Sequence, residues 1–144
     1  MRSLFSNFGI LFFAFLIVVV VTLRMNVIET FEDPKIDELK QKLIQVDPRA
    51  AKLSFTAAKE SFTENKKDVF LCIKDQHGKY YEDNMLMYVA LHELAHAFSE
   101  SVDTHHTGDE FKNNFNLLLK KGESLGYFDP NKPLDYSYCP KVDM

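Results

Sequence analysis

The pentapeptide His92-Glu93-Leu94-Ala95-His96 constrains the fold of this chain more than any other feature. Its two histidines are four residues apart, so on a helix their imidazoles lie on one face, close enough to bind one metal ion. Glu93 lies beside them, where a carboxylate can take a proton from a metal-bound water and pass it to a leaving amine. The motif therefore predicts a Zn²⁺ site on a helix, with His92 and His96 as ligands and Glu93 as general base.

The residues before the motif favour a buried helix. The run Met85–Leu91 is apolar on nearly every side and contains no Gly or Pro, and Asp83-Asn84 offers an N-cap. Ionisable side chains at His92, Glu93 and His96 are unusual in such surroundings unless something satisfies them. The alternative interpretation is two core histidines with hydrogen-bond partners and a glutamate near the helix end.

The N-terminal segment has a very different composition. Leu4–Leu23 is a run of 20 residues without a charge, and 20 helical residues rise about 30 Å, the thickness of a bilayer core. A cleaved signal peptide is the alternative, but the run ends without a small-x-small cleavage site. We therefore expect residues 1–24 to form a single transmembrane anchor and residues 25–33 a juxtamembrane linker. The basic residues that follow the anchor favour a cytosolic location for the domain after it.

Residues 25–144 are acidic. They contain 15 of the 17 Lys and Arg residues, all except Arg2 and Arg24, and all 21 Asp and Glu residues, which gives a net charge of −6. No basic stripe interrupts this acidity, so we expect no direct binding of duplex nucleic acid. Cys72 and Cys139 are too few for a disulfide framework; they are either free thiols or one bridge, and zinc ligation is the least favoured option.

Hydrophobic periodicity predicts an α+β domain over residues 34–144. One amphipathic helix begins at Asp33-Pro34 and ends at Asp47-Pro48, and another runs from about Gly108-Asp109 to Leu125. The stretch Asp68–Lys74 has strand composition, and a turn before Tyr80-Tyr81 suggests a return strand. We therefore expect a small antiparallel sheet, and after the second helix a tail interrupted by Pro130, Pro133 and Pro140 that is irregular.

A catalytic zinc usually has three protein ligands, so a third ligand must be found after His96. The metzincin pattern is not met, because Ser99 stands at its Gly position and Val102 at its third His. Glu110 suits a role in the first turn of the following helix, and Glu123 suits a solvated helix face. The remaining candidates are Glu100 and the adjacent pair His105-His106 in the loop before the second helix.

Several segments together resemble a group of small zinc metallopeptidase-like proteins of giant DNA viruses, which in turn are similar to the WLM and SprT-like metallopeptidases. The segments that carry this resemblance are Ser61-Phe62-Thr63-Glu64-Asn65-Lys66, Val69-Phe70-Leu71-Cys72, the HELAH motif, His106-Thr107-Gly108-Asp109-Glu110-Phe111 and Tyr136-Ser137-Tyr138-Cys139. The resemblance implies a compact zincin-like fold of the minimal gluzincin type, with Zn²⁺ as cofactor. For a viral protein, the cytosolic location becomes a cytosolic or virion-interior one.

The resemblance also implies the site residues. His92 and His96 become zinc ligands, Glu93 the general base and acid, and His106 the third ligand, because it precedes Phe111 much as the family's third histidine precedes a phenylalanine. One more residue separates His106 from Phe111 than in the family pattern, which leaves His105 as the alternative third ligand.

The sequence thus predicts a membrane-anchored zinc metallopeptidase with a protein or peptide substrate. An extended substrate pairs with the Val69–Lys74 strand if that strand lies at the edge of the sheet. Tyr127, Tyr136 and Tyr138 are candidate oxyanion donors by position. The alternatives are a non-catalytic, membrane-tethered module stabilised by zinc, and an anchored interaction domain whose HELAH is accidental. The oligomeric state is left open.

Overall fold

The computed structural model describes residues 12–19, 33–100, 108–135 and 137–139. The chain divides into two compact units, Met1–Glu32 and Asp33–Met144. In the first unit residues 12–19 are helical, and their large apolar side chains are exposed. The rest of the predicted anchor, and the predicted linker except residue 33, lie outside the described residues.

The described part of the first unit does not support the predicted membrane anchor. Within the described residues, no helix has both the length and the apolar run needed to cross a membrane. This finding overturns the predicted transmembrane helix and the single-pass membrane localisation.

The second unit begins with helix α1, Pro34–Val46. The Asp33 carboxylate accepts a hydrogen bond from the Lys35 backbone N–H at 3.0 Å, and Pro34 occupies the first helical position, where its missing N–H is not needed. The apolar side chains of α1 recur at helical spacing and form one buried face, as the periodicity predicted. They are Ile36, Leu39, Leu43 and Val46. A short 3₁₀ helix, Pro48–Lys52, follows and is capped by Asp47.

Three short strands form the sheet: β1 (Ser54–Ala57), β2 (Phe62–Glu64) and β3 (Asp68–Leu71). Their order is β1-β3-β2, with β1 parallel and β2 antiparallel to β3. The sheet is therefore mixed, and the predicted antiparallel sheet is wrong. The predicted return strand at Tyr80 reduces to a single antiparallel bridge with Lys74.

A tight turn joins β2 to β3. Asn65 and Lys66 both have positive φ, 51° and 58°, and the Lys67 N–H donates to the Glu64 carbonyl at 3.1 Å. Two consecutive positive φ values are the geometry of a type I′ turn, whose twist matches that of the strands it connects. The turn directs the inward side chain of β2, Thr63, toward the helix that carries the HELAH motif.

That helix is α2, Asp83–Phe98, and it packs against α3, Asp109–Ser124. From Asn84 to Ala95 every α2 side chain is buried except the half-buried Tyr88, as the all-apolar run predicted. A Cβ at Gly122 would lie 3.0 Å from Leu91 Cδ1, so the absence of a side chain there allows the two helices to approach closely.

The predicted N-cap of α2 needs correction. The helix is preceded by Glu82, which makes no side-chain capping bond. Asn84 lies inside the helix and is buried. Its side-chain oxygen accepts a hydrogen bond from the Asp129 N–H at 2.8 Å, and its side-chain nitrogen donates one to the Asp129 carbonyl at 3.1 Å. These two bonds fix the segment after α3 against the start of α2.

A disulfide between Cys72 and Cys139 ties the C-terminal segment to the residues after β3. Of the two states that the sequence left open for these cysteines, the structure has the bridge. The side chain of Tyr138, next to Cys139, is buried and packs against Tyr81 with ring centroids 4.7 Å apart. In the described parts of the tail no helix or strand is present, in agreement with the predicted irregular structure.

The predicted fold class is therefore corrected. The described domain is α+β with a small mixed three-stranded sheet. Neither the antiparallel sheet nor the spanning helix is found, and among the described residues no three His, Cys, Asp or Glu side chains form a group that could hold a metal. The compact zincin-like description, of the minimal gluzincin type, does not hold for these residues.

The disulfide makes a testable contribution to stability. It closes a loop with a sequence separation of 67 residues, and in the chain-entropy model such a closure stabilises the fold by about 4 kcal/mol. Reduction of the protein should therefore lower its free energy of unfolding in urea by about this amount. The double variant Cys72→Ser/Cys139→Ser serves as control: it should match the reduced protein, and reductant should not affect it further.

Candidate active site

The HELAH helix brings three of the predicted site residues together. His92 and Glu93 are buried, with 6% and 3% of their surfaces exposed, and His96 is half-buried one turn later. The imidazole rings of His92 and His96 lie with centroids 4.9 Å apart and are inclined by 72°. The i, i+4 spacing thus places both rings on one helix face, as the sequence predicted.

Two phenylalanines of α3 hold these rings. Phe111 lies 5.1 Å from the His92 ring and 4.4 Å from the His96 ring, between centroids. Phe115 also contacts His92, with ring centroids 5.2 Å apart. Because aromatic contacts at these distances fix ring orientation, α3 restricts both imidazoles to the side chain conformations seen here.

Glu93 is oriented by strand β2. The Thr63 hydroxyl lies 2.8 Å from Glu93 Oε2 and 2.9 Å from the Glu93 backbone carbonyl, so it can donate to either oxygen. Burial raises the pKa of the Glu93 carboxyl to about 7, because desolvation outweighs the opposing hydrogen bond from Thr63. A carboxyl with this pKa can both hold and release a proton near neutral pH.

The C-terminal end of α2 is fixed by the turn between β2 and β3. The Lys66 ammonium donates to the backbone carbonyls of His96, at 3.3 Å, and of Ser99. A cation at the C-terminal end of a helix satisfies carbonyls that have no partner within the helix and is favoured by the helix dipole. The same hairpin therefore orients Glu93 and holds the end of the helix next to His96.

Side chains of α3 fix the start of the loop that contains the predicted third ligand. Glu110 Oε1 accepts a hydrogen bond from the Glu100 N–H at 2.7 Å, and the Asn114 amide donates to Ser99 Oγ at 3.0 Å. Glu110 thus has a structural partner at the site, and Glu123 is exposed on α3, away from a ligand role.

The predicted third ligand, His106, and its alternative, His105, lie outside the described residues, in the segment 101–107. The described residues contain two of the three predicted ligands, His92 and His96, and among these residues no three His, Cys, Asp or Glu side chains form a group that could hold a metal. The ring separation of the two described residues is compatible with a shared metal ion. Two imidazoles that share a tetrahedral ion at 2.0–2.1 Å have ring centroids roughly 5 Å apart, and the observed value is 4.9 Å.

Two of the three tyrosines predicted as oxyanion donors have other roles. The Tyr127 hydroxyl donates to Gln45 Oε1 of α1 at 2.6 Å. Tyr138 is buried and donates to the Cys72 carbonyl, and burial raises the pKa of its hydroxyl. Tyr136 lies outside the described residues. In this structure neither Tyr127 nor Tyr138 is available to a reacting oxygen.

Sequence reasoning missed Thr63 and Lys66, which act on the site from the hairpin. It placed the substrate-pairing strand at Val69–Lys74, but β3 is the central strand of the described sheet and has neighbours on both sides. Among the described strands, β2 lies at an edge and contacts α2. The sequence signal for β2 was weak because only Phe62, Thr63 and Glu64 form it, too few to show an alternating pattern.

Comparison with known proteins finds viral relatives. "Uncharacterized protein 136R" of Invertebrate iridescent virus 6 is 41% identical over 93 residues, which are 62% of this chain and 51% of that protein. "Uncharacterized protein 042R" of Invertebrate iridescent virus 3 is 43% identical over 88 residues, 60% of this chain and 54% of the relative. "Uncharacterized protein R325" of Acanthamoeba polyphaga mimivirus is 34% identical over 113 residues, 74% of this chain and 54% of the relative.

The chain thus spans about half the length of the curated relatives that it matches. No family model matches it, and no solved structure matches it. The names of the relatives state neither an activity nor a substrate. The resemblance to the WLM and SprT-like metallopeptidases remains a prediction, and the function must be argued from the geometry of the site.

The contact between Thr63 and Glu93 can be tested by an isosteric change. Thr63→Val keeps the shape of the side chain but leaves the buried carboxyl without its hydroxyl donor, which should lower the free energy of unfolding by about 1–3 kcal/mol. Thr63→Ser keeps the hydroxyl and should lie much closer to the parent. Urea denaturation of the three proteins measures the difference; a loss in Thr63→Ser as large as that in Thr63→Val would contradict a specific contribution of the hydroxyl.

Proposed function

We propose that this chain is a zinc-dependent metallopeptidase that hydrolyses peptide bonds, with Glu93 as general base. The observation that carries the proposal is the arrangement of His92, Glu93 and His96. Two imidazoles at the separation expected for one shared metal flank a buried carboxyl whose pKa lies near neutrality. His92, His96 and a loop histidine, His106 or alternatively His105, would hold the ion.

Zinc bound there supplies a Lewis acid that lowers the pKa of water and polarises a carbonyl. The chain's own residues supply the remaining chemistry. Glu93 Oε2 holds and returns a proton, and the Thr63 hydroxyl keeps that oxygen in place. Phe111 and Phe115 keep the imidazoles oriented. The residues with these roles belong to α2, α3 and β2.

Strand β2 supports a protein or peptide substrate. It lies at an edge of the described sheet and contacts α2, and its residue Thr63 bonds Glu93 directly. An extended chain that pairs with the outer side of β2 runs past the Glu93 carboxyl, so its backbone carbonyls pass the reacting centre. This edge replaces β3 as the proposed binding strand. The net charge of residues 25–144, −6, further disfavours duplex nucleic acid as a partner.

A non-catalytic module stabilised by zinc is the second candidate for the same residues. A structural site uses four protein ligands and has no need of a general base. The buried Glu93, whose pKa is raised to about 7, favours the catalytic function, because a carboxyl that titrates near neutrality suits a general base. The two candidates predict the same zinc content but different activities.

The ligand set is tested by alanine substitution. If His92, His96 and His106 hold the ion, His92→Ala, His96→Ala and His106→Ala should each lower the zinc content of the purified protein and its melting temperature, because binding energy given to the folded state is lost. Elemental analysis and thermal unfolding with and without chelator measure both quantities.

His105→Ala is the matched control for the ligand set. It should change neither zinc content nor the effect of chelator on the melting temperature. If His105→Ala removes the metal and His106→Ala does not, the third ligand is His105 and not His106. If none of these variants changes the zinc content, the assigned metal site is wrong.

The role of Glu93 is tested by Glu93→Gln. Glutamine keeps the shape of the side chain but cannot accept a proton, so zinc content should stay close to that of the parent. Release of peptides from a denatured protein substrate should fall by about 10²–10⁴-fold, the effect typical of losing a general base. Full activity of Glu93→Gln would exclude Glu93 as the base. Tight zinc binding by a parent that cleaves nothing would favour the structural module.

A further inference from the structure

The Cys72–Cys139 disulfide forms part of the wall of a cavity of about 560 Å³. Both cysteine side chains are buried, each with 3% of its surface exposed, and both line the cavity, which offers a small molecule a route to the sulfurs. Much of the rest of the wall is apolar and includes Ala57 and Ala58 at the end of β1. A cavity of this volume accommodates a small organic molecule.

The charged side chains that line the cavity carry both signs, and most of them have a partner. Lys74 lies 2.6 Å from Asp33, and Asp75 accepts hydrogen bonds from the backbone N–H groups of His77 and Lys79. Lys59 adds an exposed cation to the lining. Exchange proceeds by attack of a thiolate on a disulfide sulfur, so a small thiol that enters the cavity meets the disulfide in its wall.

Opening the disulfide would release a brace that reaches strand β2. The buried Tyr138, next to Cys139, donates its hydroxyl to the Cys72 carbonyl, and its oxygen lies 2.8 Å from Ser61 Oγ. Ser61 in turn accepts a hydrogen bond from the Cys72 N–H at 2.9 Å. Ser61 comes directly before β2, whose residue Thr63 bonds Glu93.

We propose that the cavity admits a low-molecular-weight thiol, which exchanges with the Cys72–Cys139 disulfide and so releases the Tyr138 brace from β2. In the first step the thiolate forms a sulfur–sulfur bond with one cysteine while the bond between the cysteines breaks, and the other cysteine leaves as a thiolate and takes up a proton. A second thiol then displaces the first from the mixed disulfide. The protein disulfide is reduced to two thiols, and two small thiols are oxidised to their disulfide.

The exchange is independent of the function proposed above; only its effect on catalysis rests on that function. The loosening of β2 frees Thr63 from its fixed position, so the Glu93 carboxyl loses its orientation while the helix that carries it stays folded. Reduction therefore regulates the candidate active site through β2. The tests below measure thiols and backbone protection, so their outcome does not depend on peptidase activity.

Access through the cavity is tested with two neighbouring residues of β1. Ala57 and Thr56 are both exposed, but only Ala57 lines the cavity. In the oxidised full chain, Ala57→Leu should slow reduction by 2-mercaptoethanol at least about tenfold, measured by alkylation of the released thiols and mass spectrometry. Thr56→Leu should react at the parent's rate. Equal rates for Ala57→Leu and the parent, or equal slowing in both variants, would overturn entry through the cavity.

Release of the brace is tested by hydrogen exchange of the oxidised and reduced full chain. Reduction should remove protection from residues 61–64 and leave α1, Pro34–Val46, protected. Tyr138→Phe, which keeps the ring but removes its hydrogen bonds, should show part of the same loss while oxidised, and Cys72→Ser/Cys139→Ser should show all of it. Unchanged protection of residues 61–64 on reduction, or loss of protection throughout α1, would contradict a local brace.

Discussion

The burial of Glu93 is the constraint on which the rest of this structure depends. A carboxyl that is 3% exposed on an otherwise apolar helix needs a donor, and the Thr63 hydroxyl provides one. That contact requires a strand beside α2, and the strand requires the tight turn at Asn65 and Lys66. Lys66, in this turn, also supplies the ammonium that binds the end of α2. The hairpin and the helix therefore stabilise each other around one carboxyl.

A second set of contacts fixes the start of this hairpin, at Ser61. Ser61 joins β2 to the buried Tyr138 and to the backbone of Cys72, and the disulfide secures Tyr138 in that position. A domain with only three short strands gains little from strand pairing alone, since such small sheets are marginally stable without further packing. The covalent link after β3 supplies the missing constraint on the edge nearest to Glu93.

What could be predicted from the sequence follows from how local each signal is. Helix α1 was predicted because its cap, proline and apolar period all lie within 15 residues. The mixed sheet was not, since β1 must pair in parallel with a strand 14 residues further on, and no local pattern encodes that. At the site, spacing alone placed His92, Glu93 and His96 together. Thr63 came from a three-residue strand and could only be found in three dimensions.

The energetics of Glu93 connect the candidate metal to the fold. A pKa raised from 4.5 to about 7 means that ionising this carboxyl in the metal-free fold is less favourable by about 3 kcal/mol than in the unfolded chain. The contribution is absent at low pH, where the carboxyl is neutral in both states, and complete above pH 7. A cation at the neighbouring imidazoles opposes this penalty, because an opposite charge favours the ionised form. Metal binding at these imidazoles would therefore be coupled to the deprotonation of Glu93, and the bound cation would offset the cost of ionising the buried carboxyl.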